Sequence, residues 1–153
     1  MKKFYTVVLV VIMLLTSTGY ASADGPVGAD CTDPPNLVPF ADLRNCDLSG
    51  RQMEGVDLSN ADLTGANLDN ASLFTSNLVA ATFDNASLRN TNLEDGFAPG
   101  GSFINADLRG ANLYFAFFRG GNLSGANFSN SWLSSTDFES SILQNAVFTG
   151  SPY

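Results

Sequence analysis

The side chains in this sequence that could take part in catalysis or metal binding are mainly carboxylates. The chain has 153 residues, among them 15 Asp and Glu, two Cys and no His. The absence of His excludes Ser-His and Cys-His nucleophilic pairs and removes the commonest metal ligand. Two Cys cannot supply a zinc tetrad. The composition therefore favours a protein that is not an enzyme and has no cofactor, with surface carboxylates as the remaining route to catalysis.

Asp42 and Asp62 are the carboxylates whose spacing is most informative, because the repeat described below predicts that residues 20 apart lie one above the other. Such a pair could hold Ca²⁺ or act as an acid and a base. Either role needs a pocket that removes the carboxylates from water, and the repeat predicts none. We therefore interpret these aspartates as solvated surface charge.

A five-residue repeat organises the chain from residue 41 to residue 153. Stepping by five from Leu43 reaches Leu or Phe at 20 of 23 stops, and two residues before each stop lies a small side chain, with Arg51 the only large exception. Residues two apart on an extended segment point to the same side, so both pack inward while the polar residue between them faces out. The two positions that follow are rich in Gly and Asn, which tolerate the dihedrals of a corner. Each unit is predicted to form a short extended side and a corner.

Several units follow the pattern most closely: Ala-Asp-Leu-Thr-Gly at 61–65, Ala-Asn-Leu-Asp-Asn at 66–70, Ala-Asp-Leu-Arg-Gly at 106–110 and Ala-Asn-Phe-Ser-Asn at 126–130. They resemble the pentapeptide-repeat family, and the resemblance covers 41–153. It implies an all-β fold, a right-handed quadrilateral parallel β-helix with four units per coil. At that count the solenoid would have about five to six coils, stabilised by stacking coil on coil and filled by side chains rather than by a cavity.

The first 23 residues are predicted to be a secretory signal peptide. They contain two lysines, an unbroken apolar run at 7–15 and a small-x-small cleavage site at 21–23. A retained membrane anchor is the alternative, but the apolar stretch at 4–15 has 12 residues, whereas crossing the hydrocarbon core takes roughly 20. We therefore expect an exported protein, periplasmic or secreted, with no stable membrane insertion after cleavage.

Residues 24–40 lie between the signal peptide and the repeat, and are predicted to cap the first coil. The segment is rich in Pro and Gly and has no periodic pattern, and such a segment can blunt the open edge of stacked strands. Cys31 and Cys46 are a candidate disulfide, since an even cysteine count in an exported chain is compatible with a bridge. The alternative is two free thiols, with Cys46 buried in a small position.

The net charge argues against nucleic acid as a partner. Residues 24–153 contain all 15 acids and five Arg, which gives a net charge of −10. Nucleic-acid backbones should be repelled by this charge. Solubility of a Phe-rich repeat is the favoured explanation of the acidity, and an acidic surface made for a basic partner is the alternative.

Large aromatic residues replace the usual polar ones around one corner between two faces. They exceed what a soluble surface needs, so we predict a patch that docks another protein or a second copy of the chain. The alternative is that Phe97 and Phe117 fill a local irregularity, in which a bulge near Ala98 lets Phe97 turn inward. The patch residues are Phe74, Phe97, Tyr114, Phe115, Phe117 and Trp132.

The function predicted from these features is that of a non-enzymatic exported scaffold or protein–protein interaction module. The resemblance supplies an alternative, because cytoplasmic pentapeptide-repeat proteins that resemble a DNA rod bind DNA gyrase and protect it from quinolones. The acidity and the expected dimensions fit that alternative. The signal peptide opposes it, as does the lack of a predicted C-terminal dimerisation helix.

Overall fold

The fold is described by a computed structural model that covers residues 30–32 and 35–152. The predicted signal peptide, most of the segment 24–34 and Tyr153 lie outside the described residues. Within the described ranges, no helix is long and apolar enough to span a membrane. The regular part of the structure extends from Ala41 to Gly150 and repeats every five residues.

Each five-residue unit contributes one residue to a parallel β-bridge. In the described chain 18 bridges join a residue to the one 20 positions later, from Asp42 with Asp62 to Asn127 with Val147. Four units therefore complete one coil, and units 20 residues apart stack. We number the four faces in chain order: face 1 begins with residues 41–45, face 2 with 46–50, face 3 with 51–55 and face 4 with 56–60.

The sides of the solenoid are shorter than strands. Each side has a single bridged residue, and no longer strand occurs among the described residues. Two backbone bonds join each side to the next coil, as when Leu43 donates to the Asp62 carbonyl and Asp62 donates to the Ala41 carbonyl. A corner every five residues leaves too few extended residues for a longer ladder. The stacking and four-sided register agree with the sequence prediction.

The corners have one unusual backbone conformation in common. Every fifth residue from Phe40 to Gly150 has a positive φ, between 53° and 73°. The following small residue closes the turn, as when the Ala61 N–H donates to the Leu58 carbonyl at 3.0 Å. A positive φ at this place is the mark of a type II turn, and it explains why Gly or Asn stands at 16 of these 23 positions.

Asn and Gly also alternate between neighbouring coils at several corners. A Cβ on Gly110 would overlap the side-chain oxygen of Asn90 in the coil below, and Gly65 has the same relation to Asn45. The missing side chain thus leaves room for the amide of the residue beneath it. Gly120 has the same backbone conformation, but nothing lies near the place of its missing Cβ. The positive φ alone therefore accounts for Gly120, whereas Gly65 and Gly110 are also required by the close stacking of the coils.

The core is a continuous column of Leu and Phe inside the four faces. The central residues are buried from Leu43 to Phe128, and each such side chain contributes about 1.5–3 kcal/mol by leaving water. Phe83 and Phe103 stack with their ring centroids 4.7 Å apart. Gly101 makes room for this stack, since a Cβ there would lie 3.0 Å from Phe103 Cε2.

Polar residues at the small inward positions bond to the backbone of the coil below. The Ser76 hydroxyl donates to the Met53 carbonyl at 3.0 Å, and the Thr91 hydroxyl donates to the Leu68 carbonyl at 2.8 Å. No buried side-chain nitrogen or oxygen of the described residues lacks a partner. Ser and Thr can therefore replace Ala inside the solenoid without an unsatisfied polar atom.

Asp30 stands where a coil below the first one would be. Its N–H donates to the Asp42 carbonyl at 3.0 Å, and its carboxylate accepts from the Asp42 N–H at 2.7 Å. These are the two groups of Asp42 that later coils satisfy with the preceding coil. A disulfide joins Cys31 to Cys46, with the Cα atoms 5.4 Å apart, and it ties this segment to face 2.

Candidate protein-binding surface

The predicted aromatic patch lies on the outside of the solenoid, around the corner between face 3 and face 4. Trp132 is 62% exposed and Phe115 is 52% exposed. Phe74, Phe97 and Tyr114 are also exposed, and Phe117 is half-buried. The six rings come from four successive coils, so the stacking brings together residues that are up to 58 positions apart in the sequence.

Phe97 points outward, and the bulge considered for it does not form. Its side chain is 46% exposed, while Ala98 occupies the interior position and is 1% exposed. The bridges from Asn77 through Phe97 to Phe117 continue without a break. The nearby glycines have regular roles in the repeat. Gly100 is a corner residue with a positive φ, and Gly96 fills a small inward position where a Cβ would lie 2.9 Å from the Leu93 carbonyl oxygen.

Two pairs of rings organise the patch. Phe97 and Phe117 stack across one coil with centroids 5.2 Å apart, and the Arg119 guanidinium lies 5.2 Å from the centre of the Phe117 ring. Tyr114 and Phe115 meet edge to face at 4.3 Å. Arg119 also forms ion pairs with Asp137, at 3.0 Å, and with Glu139. The patch is therefore apolar at its centre, with charged groups at one edge.

A concavity of about 400 Å³ opens beside this patch on face 3. Two of its lining residues, Tyr114 and Trp132, belong to the predicted patch, whereas Glu94, Asn112 and Ser134 were not singled out from the sequence. Glu94 precedes Tyr114 by 20 residues. That spacing is the signal that could have placed them together.

The carboxylates considered for catalysis or Ca²⁺ binding are held by arginine. Arg44 Nε lies 2.8 Å from Asp42 and 3.8 Å from Asp62. The guanidinium supplies positive charge to both carboxylates and bonds Asp42 directly. Among the described residues, no group of three or more His, Cys, Asp or Glu side chains could hold a metal ion.

Face 2 carries a second ion cluster, which links two coils. Arg109 and Arg89 both donate to the Asp107 carboxylate, at distances of 2.6–2.8 Å. The hydrogen bonds from Arg109, followed by those from Arg89, lower the pKa of Asp107 to about 2. This cluster lies away from the aromatic patch and stabilises the stacking of neighbouring coils.

Comparison with known proteins agrees with the geometry. The family profile described as pentapeptide repeats (8 copies) matches residues 41–78, 86–125 and 122–151. The pentapeptide repeat protein Rfr23 from the cyanobacterium Cyanothece 51142 is 30% identical, with a TM-score of 0.58 over 67% of this chain and 86% of its own. No curated protein matches the chain.

Two further solved structures that match are less similar. HetL, a pentapeptide repeat protein involved in heterocyst differentiation regulation in Nostoc sp. strain PCC 7120, is 22% identical, with a TM-score of 0.41 over 73% of this chain and 61% of its own. QnrB1, a plasmid-mediated fluoroquinolone resistance protein, is 18% identical, with a TM-score of 0.48 over 68% of this chain and 58% of its own. Similarity at this level says nothing about function.

Proposed function

Since the chain belongs to the pentapeptide-repeat family, we propose that it is a non-enzymatic, exported scaffold that binds another protein through its aromatic patch. The observation that carries the proposal is the group of exposed rings around the corner between faces 3 and 4. Aromatic residues are enriched at protein interfaces and dominate their binding energy. The equivalent positions in most other units are polar.

The solenoid beneath the patch supports this role. Its right-handed coils, about five to six in number, form a rigid column in which each coil packs on the next. Binding of a partner to such a column requires little ordering of the backbone, because the backbone is already fixed by the stacking. Export follows from the predicted signal peptide, and an oxidising compartment would preserve the Cys31–Cys46 bridge.

The DNA-mimicking alternative is opposed by the predicted signal peptide and not by the surface charge. Arg44, Arg89, Arg109 and Arg119 pair with acids on three faces, but residues 24–153 keep a net charge of −10. Cell fractionation therefore decides between export and the DNA-mimicking alternative.

The test compares two variants of the purified mature protein. The patch variant carries Phe97→Ser, Phe115→Asn and Trp132→Ser. The control variant carries Ile142→Ser and Val147→Ser, which remove exposed apolar side chains of faces 1 and 2. Proteins that co-purify with the wild type from its own compartment are identified, purified and titrated against all three forms. Light scattering measures self-association in the same preparations.

We expect the patch variant to bind its partner, or a second copy of itself, at least about 30-fold more weakly than the wild type. The reason is that central aromatic residues contribute about 2 kcal/mol or more to the binding free energy. The control variant should bind like the wild type. Equal binding by wild type and patch variant would exclude the patch as the interface. Cell fractionation tests export separately, since full-length protein found only in the cytosol would overturn it and revive the DNA-mimicking alternative.

A further inference from the structure

The concavity on face 3 combines aromatic rings with a carboxylate from three successive coils. Glu94 and Tyr114 occupy the same corner position in neighbouring coils, and Trp132 stands on the outward side of the next coil. Neighbouring layers of a β-solenoid lie about 4.8 Å apart. Glu94 and Trp132 are two layers apart, about 9.6 Å, and their long side chains line the same concavity as Tyr114.

Both rings are accessible to solvent. Trp132 is 62% exposed and Tyr114 is 41% exposed. The edge contact with Phe115, at 4.3 Å between centroids, holds the Tyr114 ring in place. The face of an aromatic ring carries negative potential and attracts a cation, with Trp the strongest of the three rings.

Glu94 is held in position without an ion pair. Its carboxylate accepts a hydrogen bond from Asn112 Nδ2 at 2.9 Å. The Asn112 carbonyl oxygen in turn accepts from the Tyr114 N–H at 3.2 Å, so one amide fixes both residues. In the described part of the chain, no ion pair involves Glu94 or its neighbour Asp95. This negative charge has no ion pair, in contrast to Asp107 of face 2.

We propose that this cleft binds a guanidinium group, and that the group is an arginine side chain of the protein partner. The proposal rests on the proposed function for its source of arginine. A guanidinium is planar, stacks on aromatic faces and bonds a carboxylate through two parallel donors, which matches Trp132, Tyr114 and Glu94. The net charge of −10 over residues 24–153 favours a cationic ligand as well.

Trp132 is the only tryptophan of the chain, so its fluorescence reports on the cleft directly. The purified mature protein is titrated with N-acetylarginine amide and, as the neutral isostere, with N-acetylcitrulline amide. We expect a saturable fluorescence change with the arginine compound and at least about tenfold weaker binding of the citrulline compound, since a cation–π contact with an ion pair is worth that much. Rising salt should weaken the arginine compound alone.

Two variants test the assignment to residues. Glu94→Gln removes the charge and keeps the acceptor for Asn112, and we expect about a fivefold to tenfold loss of arginine binding. Glu54→Gln is the matched control, because Glu54 has the same corner position two coils away. Tyr114→Leu removes one aromatic ring and keeps the Trp132 fluorescence signal, so the proposal can still be tested if Glu94→Gln does not fold. Thermal unfolding of each variant shows whether it is folded.

Several results would overturn the inference: equal binding of arginine and citrulline compounds, equal binding by Glu94→Gln and wild type, or stronger binding of tetramethylammonium than of arginine. If the partner identified above needs the patch but binds Glu94→Gln like the wild type, the arginine assignment fails and the proposed function stands. If the arginine compound binds while the patch variant keeps every partner, the proposed function fails and the guanidinium site remains.

Discussion

Phe115 lies at a backbone position that most side chains avoid. Its φ is 56°, at a corner position where 16 of 23 residues are Gly or Asn. The left-handed conformation costs a residue with a side chain roughly 1–2 kcal/mol, and the ring is 52% exposed, so burial offsets little of that cost. Seven of the 23 corners carry a residue other than Gly or Asn, so this strain belongs to the corner position and is not specific to the ring.

Replacement of Phe115 by Asn should therefore leave the protein at least as stable as the wild type. We expect the free energy of unfolding to change by about 0 to +1 kcal/mol, because the relief of the left-handed strain exceeds the lost edge contact with Tyr114. Chemical denaturation measures the change. Phe118→Ala, in the neighbouring unit and 1% exposed, is the contrast and should lose about 3–5 kcal/mol. A loss above 1 kcal/mol for Phe115→Asn would show that the ring is structural.

At the scale of the single face, charge and stacking cooperate. On face 2, Asp107 receives hydrogen bonds from Arg109 of its own coil and from Arg89 of the coil below. Its side chain is 21% exposed, so the pair is screened less than an exposed one. On face 3, by contrast, Glu94 in the column with Tyr114 forms no ion pair within the described chain. The same stacking rule therefore produces a stabilising face and a binding face.

The Asp107 cluster predicts a stability that depends on pH. Because the folded pKa of about 2 lies below that of an unfolded aspartate, the stabilisation is complete above about pH 4 and is lost as pH falls through 2. We expect Asp107→Asn to be about 1–2 kcal/mol less stable than the wild type at pH 6 and nearly equal to it at pH 2. Urea denaturation at a series of pH values measures the difference.

The control for this experiment is Asp95→Asn on face 3, a carboxylate without an ion pair among the described residues. It should be at least as stable as the wild type at pH 6, since residue 95 has a positive φ of 54°, which Asn tolerates well. A gap for Asp107→Asn that stays constant from pH 6 to pH 2 would mean that the side chain acts through its shape and not through its charge.

At the scale of the whole molecule, the solenoid is a one-dimensional stack, so its ends differ from its middle. Middle coils bond to a coil on each side, whereas the first coil depends on Asp30 and on the Cys31–Cys46 bridge. At the other end of the described chain, Phe148 is 38% exposed. Stability in such stacks is a sum over neighbouring coils, so loss of an end contact opens the end first.

Removal of the disulfide should loosen the first coil. Cys31→Ala with Cys46→Ala opens a loop of 15 residues, which the chain-entropy model values at about 3 kcal/mol. Ala fits at residue 46, since the other coils of face 2 have Ala there. Hydrogen exchange at the Leu43 N–H should accelerate, while that at Leu88 in the middle should change little. Equal exchange at Leu43 in both forms would show that Asp30 alone holds the first coil.

Much of this protein follows from its period. The alternation of a small residue, a polar residue and Leu or Phe requires two inward positions per unit, and Gly or Asn at each corner permits a positive φ. Those local rules determine the faces, the buried column and the outward place of Trp132 and Phe115. These rules involve only residues that are close in the sequence, so they can be recognised without a structure.

Other features exist only once the coils stack. Phe97 faces outward because its bridges to the coils on both sides keep their register. From the sequence, Ala98 and the nearby glycines allowed either an inward or an outward Phe97. Glu94, Tyr114 and Trp132 line one cleft because the stacking brings residues from three coils together. The sequence by itself determined the scaffold, since period and corner chemistry are local. Only the tertiary structure decided the binding surface, because contacts across coils depend on which side chains the stacking leaves uncovered.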